Sequence, residues 1–339
     1  MERLDTIDDV DYHIRHGPAV SGFSAQKYDG NMFTHSSYLR AHRIGDLVTA
    51  EGNDLAPSLY SDKKSYLLHL GRLNMLSTTE IYRHCTKLFE NTEASFIVYE
   101  DIRLQDDRAR SSFPSQFLRY QENWRRKIGL GEKYMSSKQA SNLRRKIKKL
   151  RQFVNGAELE LRFHRCRPGD VDAIAILNKT KLERAGRHHY LSNEKQAAME
   201  RLCSDIGYTA GLYCEGDLLA GTIVCVAGSR GYIVLLGHDM RYRKFSPGLQ
   251  ATSFALSKLE RMGCTEANFL WGDSRWKSDF LAEREPLTTV IVRRNNRVLL
   301  SKALRKVLLP YAKHAAKALI KPYVKGVVGK FRRARRSLS

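Results

Sequence analysis

Residues Tyr232–Lys277 read YIVLLGHDMRYRKFSPGLQATSFALSKLERMGCTEANFLWGDSRWK. Their order predicts a strand, a basic loop, a helix and a second strand. Tyr232 to Leu236 is an apolar, β-branched and aromatic run of strand length. Met240 to Ser246 is polar and basic and predicts a loop. Ser246-Pro247-Gly248 then opens a helix, with a hydroxyl for the cap and proline at the first helical position. Leu249, Phe254, Leu256 and Leu259 recur at near-helical spacing until Gly263 stops the helix. Ala267 to Trp271 predicts the second strand, and Gly272-Asp273 leaves it.

A basic loop running into a helix start suits an anion. The first helical turn offers unsatisfied backbone N–H groups and the positive end of the helix dipole. Arg243, Lys244 and Phe245 precede Ser246 and Pro247, and Gly248 lets a phosphate approach the backbone closely. The register Arg243-x-x-Ser246-x-Gly248 resembles the pyrophosphate-binding signature of the GNAT acyltransferases. Ser246 stands where that signature has its first glycine. The plain alternative is an ordinary capped helix with basic flanks.

Working outward, the 339-residue chain is long enough for two domains of ordinary size. A hydrophobic content of 42% is a globular value, but the formal net charge is +22. That balance points to a polyanionic partner: nucleic acid, an anionic membrane or a phosphate-rich ligand. The charge is concentrated at one end. Fifteen Lys and Arg lie from Arg293 onward, and no Asp or Glu follows Glu285. The six cysteines have no C-x-x-C spacing, which points to a reduced compartment and no zinc site. The opening MERLDTIDDVDY is acidic and lacks the apolar core of a secretory signal. The longest apolar run, Leu218 to Gly228, is too short to span a bilayer, so a cytoplasmic protein is expected.

In chain order, the first thirty residues predict an irregular arm. Met32 to Ala41 suggests a short helix, Asp46 to Glu51 and Ser65 to Met75 strands, Thr78 to Leu88 a helix and Ala94 to Val98 a strand. Tyr134 to Phe153 is a basic amphipathic helix, with Leu143, Ile147 and Leu150 on one stripe. Beyond it come a strand at Glu158–Phe163, helices opened by Asp170 and Ser192, and three strands joined by Glu215-Gly216-Asp217 and Ser229-Arg230-Gly231 turns. Leu287 to Val292 supplies one more strand. This is an α+β layout with helices covering a twisted sheet. The expected units are 1–133, a connecting helix at 134–156, a main domain at 157–297 and a basic tail at 298–339.

Three motifs carry a closer resemblance. Tyr134-Met135-Ser136-Ser137-Lys138 with Asn142-Leu143-Arg144-Arg145, then His238-Asp239-Met240-Arg241-Tyr242 with Ser246-Pro247-Gly248, then Gly272-Asp273-Ser274-Arg275-Trp276-Lys277 follow the order of the cellulose-biosynthesis CelD-like group of GNAT proteins. That group is related to the Fem-type aminoacyl transferases. The resemblance implies a GNAT-like twisted mixed sheet flanked by helices, with a second, degenerate GNAT-like lobe at the N-terminus. It also implies acyl transfer from acyl-CoA, acetyl-CoA first, to an amine or hydroxyl, with a polysaccharide or lipid-linked acceptor and no metal.

Transfer from a thioester needs an anchored donor, N–H groups for the developing oxyanion and a proton acceptor. The loop Arg243 to Gly248 suits the anchor. His238, Asp239 and Asp273 stand at strand ends and are the candidates for the base, with Trp276 and Lys277 on the substrate side. Each has a plainer reading: His238 as an orienting residue, Asp239 as a turn cap, Asp273 with Lys277 as an ion pair, Trp276 as core. Two other functions compete, a Fem-type transferase using aminoacyl-tRNA and an inactive interaction module. From Val298 to Leu319 an apolar stripe faces away from lysines, the pattern of a helix lying on an anionic membrane or packing on the protein itself.

Overall fold

Ser77 explains the first long helix. Its hydroxyl accepts from the Glu80 N–H while the Glu80 carboxylate accepts from the Ser77 N–H, a complete capping box. The computed structural model describes residues 13–17, 30–44, 46–52, 55–105, 112–129, 132–184, 186, 191–272, 276–300 and 303–309. The first half comprises β1 (His13–Gly17), α1 (Ser36–Ala41), β2 (Leu47–Gly52), β3 (Leu55–Asp62), β4 (Tyr66–His69), β5 (Met75–Ser77), α2 (Thr78–Asn91), β6 (Phe96–Gln105) and β7 (Ser115–Lys127). In α2, Ile81, Cys85, Leu88 and Phe89 recur at helical spacing and are buried against the sheet. The arm expected to be irregular contains β1, which pairs antiparallel with β2.

The second half starts with α3 (Ser137–Phe153), capped by the Ser136 hydroxyl. It continues through β8 (Leu159–Arg165), α4 (Asp170–Arg184), α5 (Asn193–Ile206), β9 (Gly207–Cys214), β10 (Asp217–Ala227) and β11 (Arg230–His238). A 3₁₀ turn at Met240–Phe245 leads to α6 (Pro247–Arg261), β12 (Glu266–Leu270), α7 (Trp276–Asp279) and β13 (Glu283–Arg293). Helices α4 and α5 cover one face of β10 and β11 around Ile223, Cys225, Tyr232 and Leu235. Helix α6 covers the other around Val224, Ile233, Ala255, Leu259 and Phe269. The architecture is a large, mixed, GNAT-like sheet with helices on both faces.

Strand order is β1-β2-β3-β4-β6-β13-β7-β12-β11-β10-β9-β8, with β5 also on β6. The two halves therefore interlock. Strand β13, which Leu287–Val292 suggested as a simple continuation of the second sheet, lies between β6 and β7 of the first half. Strand β7, absent from the sequence reading, pairs with β12 and joins the halves. Trp124 packs into the apolar core on one face, while Asn123 and Arg125 enter a polar and charged network on the other. Arg103 contacts Glu266 at 3.2 Å and Glu285 at 2.7 Å, and Arg125 contacts both at 3.2 Å. Asn123 Nδ2 donates to Asn268 Oδ1 at 3.0 Å beside them. Such a strand loses the apolar alternation that marks strands in a sequence.

The start of the tail packs on the body. Residues 303–309 are helical, and Leu304 is fully buried with Phe96, Val98 and Ile291, flanked by Val307 and Leu308. The rest of the proposed membrane stripe, from Tyr311 on, lies outside the described residues. No helix among the described residues is long and apolar enough to cross a membrane. No group of three or more His, Cys, Asp or Glu among them is arranged to hold a metal.

Candidate active site

Strands β11 and β12 part company early. They pair in parallel at only three positions, Arg230↔Glu266, Gly231↔Ala267 and Tyr232↔Asn268. Strand β11 nevertheless runs on to His238. The result is a wedge that opens toward the C-terminal ends of two parallel strands, where ligands of such sheets bind. Strands β4 and β6 of the first half are also parallel and joined through a helix. There the wedge is closed by the chain itself: β5 pairs with β6 from Met75↔Arg103 to Ser77↔Gln105, and Leu73 N–H donates to Asp101 O at 2.9 Å. Among the described residues no third strand pairs between β11 and β12, and Phe33 packs on Tyr232 and Trp271 where the two strands part.

The α6 N-terminus faces this opening. Gly248 lies so close to it that an added Cβ would be 3.2 Å from His238 Nδ1 and 3.5 Å from a Leu236 methyl. Ser246 differs from the expected hydroxyl cap. It adopts a left-handed conformation, φ 55° and ψ 49°, and its side chain makes no capping bond. The left-handed residue joins the 3₁₀ turn to α6, although a residue before proline prefers extended backbone. The Ser246 hydroxyl instead accepts from Lys146 Nζ on α3 at 2.7 Å. Lys244 Nζ lies 4.3 Å over the Phe153 ring and 4.9 Å over Phe245, which is buried. Arg243 and Lys244 are exposed and have no ion pair with a described residue. Lys146, Arg243, Lys244 and the helix dipole together make a cationic lip.

His238 sits behind that lip. Burial, reinforced by the Lys181 and Arg243 charges, pushes its imidazole down to about 4, against a weaker pull from Asp239. It is therefore neutral at physiological pH. Its Nδ1 is buried and without a partner among the described residues. Burial would raise the Asp239 carboxyl, but hydrogen bonds from the Arg241 side chain and backbone hold it below its usual value. The Asp239 carboxylate accepts from Arg241 N at 2.8 Å and Nε at 2.8 Å, which caps the 3₁₀ turn. Lys277 is 3% exposed and its Nζ donates to Leu270 O at 2.8 Å and Trp271 O at 2.9 Å. That fixes the end of β12. Trp276 packs edge-on against Phe269 and Phe280. Asp273 lies outside the described residues.

Two residues at the wedge are additions to the sequence reading. Lys146 was legible only as one of many cations on α3. Asn178, on the face of α4 that buries Val171, Ile174 and Ala175, donates from Nδ2 to Leu236 O at 2.7 Å. A lone amide on an apolar helical face was its only signal.

Residues 137–278, which hold the wedge, its lip and α3, match the family model described as Acetyltransferase (GNAT) domain. This segment is similar in sequence to GNAT domains. The fold likeness extends beyond it. The structure of FemX superposes with a TM-score of 0.57 at 11% identity, covering 82% of this chain and 98% of that one. A conserved protein of unknown function from Bacteroides thetaiotaomicron gives 0.52 at 11% identity, covering 80% and 93%. At such identity the likeness is one of fold, and it includes the first half that the GNAT model does not reach. No curated protein sequence matches the chain.

Proposed function

We propose that the chain is an acyltransferase that binds an acyl-CoA, acetyl-CoA in the simplest case, in the β11–β12 wedge of its GNAT domain. The observation that carries this reading is the parting of β11 from β12 beyond Tyr232 and Asn268, directly below a cationic helix start. The lip from Arg243 to Gly248, with Lys146, takes the pyrophosphate. The thioester then lies along β11, where backbone N–H groups near its end stabilise the oxyanion. An amine or hydroxyl of the acceptor attacks the thioester carbonyl carbon, the C–S bond breaks, and the thiolate leaves with CoA. Neutral His238 takes the acceptor's proton, which ends on the thiolate sulfur. Asp273, which comes after Trp271 and Gly272 beyond the end of β12, is proposed from its sequence position as a carboxylate of the site, with Trp276 on the acceptor side.

A polysaccharide or lipid-linked acceptor fits the basic tail, whose residues beyond 309 would reach an anionic membrane surface at its cytoplasmic face. A second donor, aminoacyl-tRNA, is favoured by one specific observation. Arg144, Arg145, Lys148, Lys149 and Arg151 of α3 are exposed beside the lip and have no ion pair with a described residue. Such a face attracts a phosphate backbone.

Thermal unfolding with acetyl-CoA or with aminoacyl-tRNA separates these readings, because a ligand stabilises the state that binds it. A shift with acetyl-CoA that Gly248→Trp abolishes in a folded variant is expected. A shift with the tRNA alone would replace the donor, and no shift with either would leave an inactive module.

A further inference from the structure

Asn178 is the best-placed group that the proposed reaction leaves unused. It is 7% exposed, and its Nδ2 donates to the Leu236 carbonyl at 2.7 Å. That bond fixes the amide's orientation: a carbonyl can only accept, so the nitrogen must face Leu236 and Oδ1 must face elsewhere. Oδ1 is closed off from solvent and has no partner among the described residues. Buried amide oxygens are almost always hydrogen-bonded, so an orphan of this kind calls for a missing donor.

The surroundings define that donor. Leu236 belongs to the stretch of β11 that has lost β12 as a neighbour. An unpaired strand edge binds extended chains that carry amide groups. Helix α4 is pressed onto the same stretch. An added Cβ at Gly237 would be 2.3 Å from Ile174 O and 3.0 Å from Asn178 N. Asn178 therefore has a fixed position relative to the strand edge.

We propose that Asn178 is a positioning residue for the pantetheine arm of the donor. Its Oδ1 accepts one of the arm's amide N–H groups while its Nδ2 keeps the Leu236 carbonyl in place. The arm has two secondary amides linked by short methylene chains, so it matches both an open strand edge and a single fixed acceptor beside it. Asn178 thus sets how far the thioester travels along β11 from the phosphate lip. This inference rests on the acyl-CoA reading of the wedge.

Calorimetric titration with CoA and with 3′,5′-ADP, which lacks the arm, tests it. In Asn178→Leu the Kd for CoA rises about tenfold, a loss of about 1.4 kcal/mol, while the Kd for 3′,5′-ADP stays unchanged. Asn178→Ala, which leaves room for water at Leu236 O, gives the same contrast if the leucine variant folds poorly. Equal losses for both ligands, or none for either, would overturn the assignment of Asn178. Failure of the unaltered protein to bind CoA would instead remove the donor, and the inference with it.

Discussion

Lys146 and Ser246 are one hundred positions apart, yet Nζ of the first donates to Oγ of the second at 2.7 Å. The bond ties the basic helix α3 to the start of α6 and helps hold Ser246 in its left-handed conformation. A non-glycine residue there is strained by roughly 1–2 kcal/mol. Ser246→Ala loses the bond and keeps the strain, whereas Ser246→Gly loses both. The glycine variant should be more stable than the alanine variant by about 1 kcal/mol in urea unfolding. Equal midpoints would show that the backbone at 246 carries no strain. Lys146→Met should weaken acetyl-CoA binding severalfold with little change in stability.

Two glycines should respond differently to a single methyl group. At Gly237 the new Cβ would meet the Ile174 backbone oxygen at 2.3 Å, so α4 must move off β11. Gly237→Ala should cost about 1–3 kcal/mol of stability. At Gly248 the nearest atom is His238 Nδ1 at 3.2 Å. Gly248→Ala should keep the melting temperature within a few degrees and lose donor affinity. Calorimetry of both variants decides, and the reverse order of stabilities would refute the packing argument.

Acid should destabilise the protein through its buried histidines. Burial, with the neighbouring His84 charge, pushes His69 to about 3; burial pushes His84 to about 4, against a weaker pull from Glu80. His238 is at about 4. The ordinary value is 6.5, so between pH 6.5 and these values the unfolded chain binds more protons than the folded one. Stability is then full above pH 6.5 and falls as pH drops toward 4 and 3. Urea midpoints measured from pH 7.5 to 4.5 should decrease throughout the lower half of that range. The rate, for its part, should show no histidine limb between pH 5 and 8, since His238 stays neutral there.

Arg103, Arg125, Glu266 and Glu285 hold the interlocked strands β6, β7, β12 and β13. Removing one charge strands the others in a buried site, at a typical cost of about 3–5 kcal/mol. Arg103→Met and Glu285→Gln should each cause a large loss, and the double variant should lose less than the sum. Additive losses would mean that the two side chains are not energetically coupled.

The tail offers a cleaner cut than its sequence suggested. Because 303–309 packs against β6 and β13, truncation after residue 309 spares the fold. The full chain should sediment with anionic vesicles at low salt, and the truncated chain should stay in the supernatant. A full chain that never sediments would exclude the membrane role.

The strand, loop, helix and strand of Tyr232–Lys277 were legible because each rests on local physics. An apolar run, a proline at a helix start and a glycine at its end act over a few residues. The basic character of α3 and the helices begun by Asp170 and Ser192 were readable for the same reason. Strand β7 was not, because Asn123 and Arg125 on one face find polar and charged partners on β12 and β13, distant in sequence, and leave Trp124 as an isolated buried apolar residue of the strand. The placement of β13 in the first half was hidden too, since an apolar strand does not encode its neighbours. Ser246 carried the right residue type for a cap, but the entry angle of the chain put its hydroxyl on Lys146. Local propensity determined the elements of Tyr232–Lys277 and the cationic loop. Only the tertiary structure decided how the two wedges differ, because β5 pairs into one and no described strand pairs into the other.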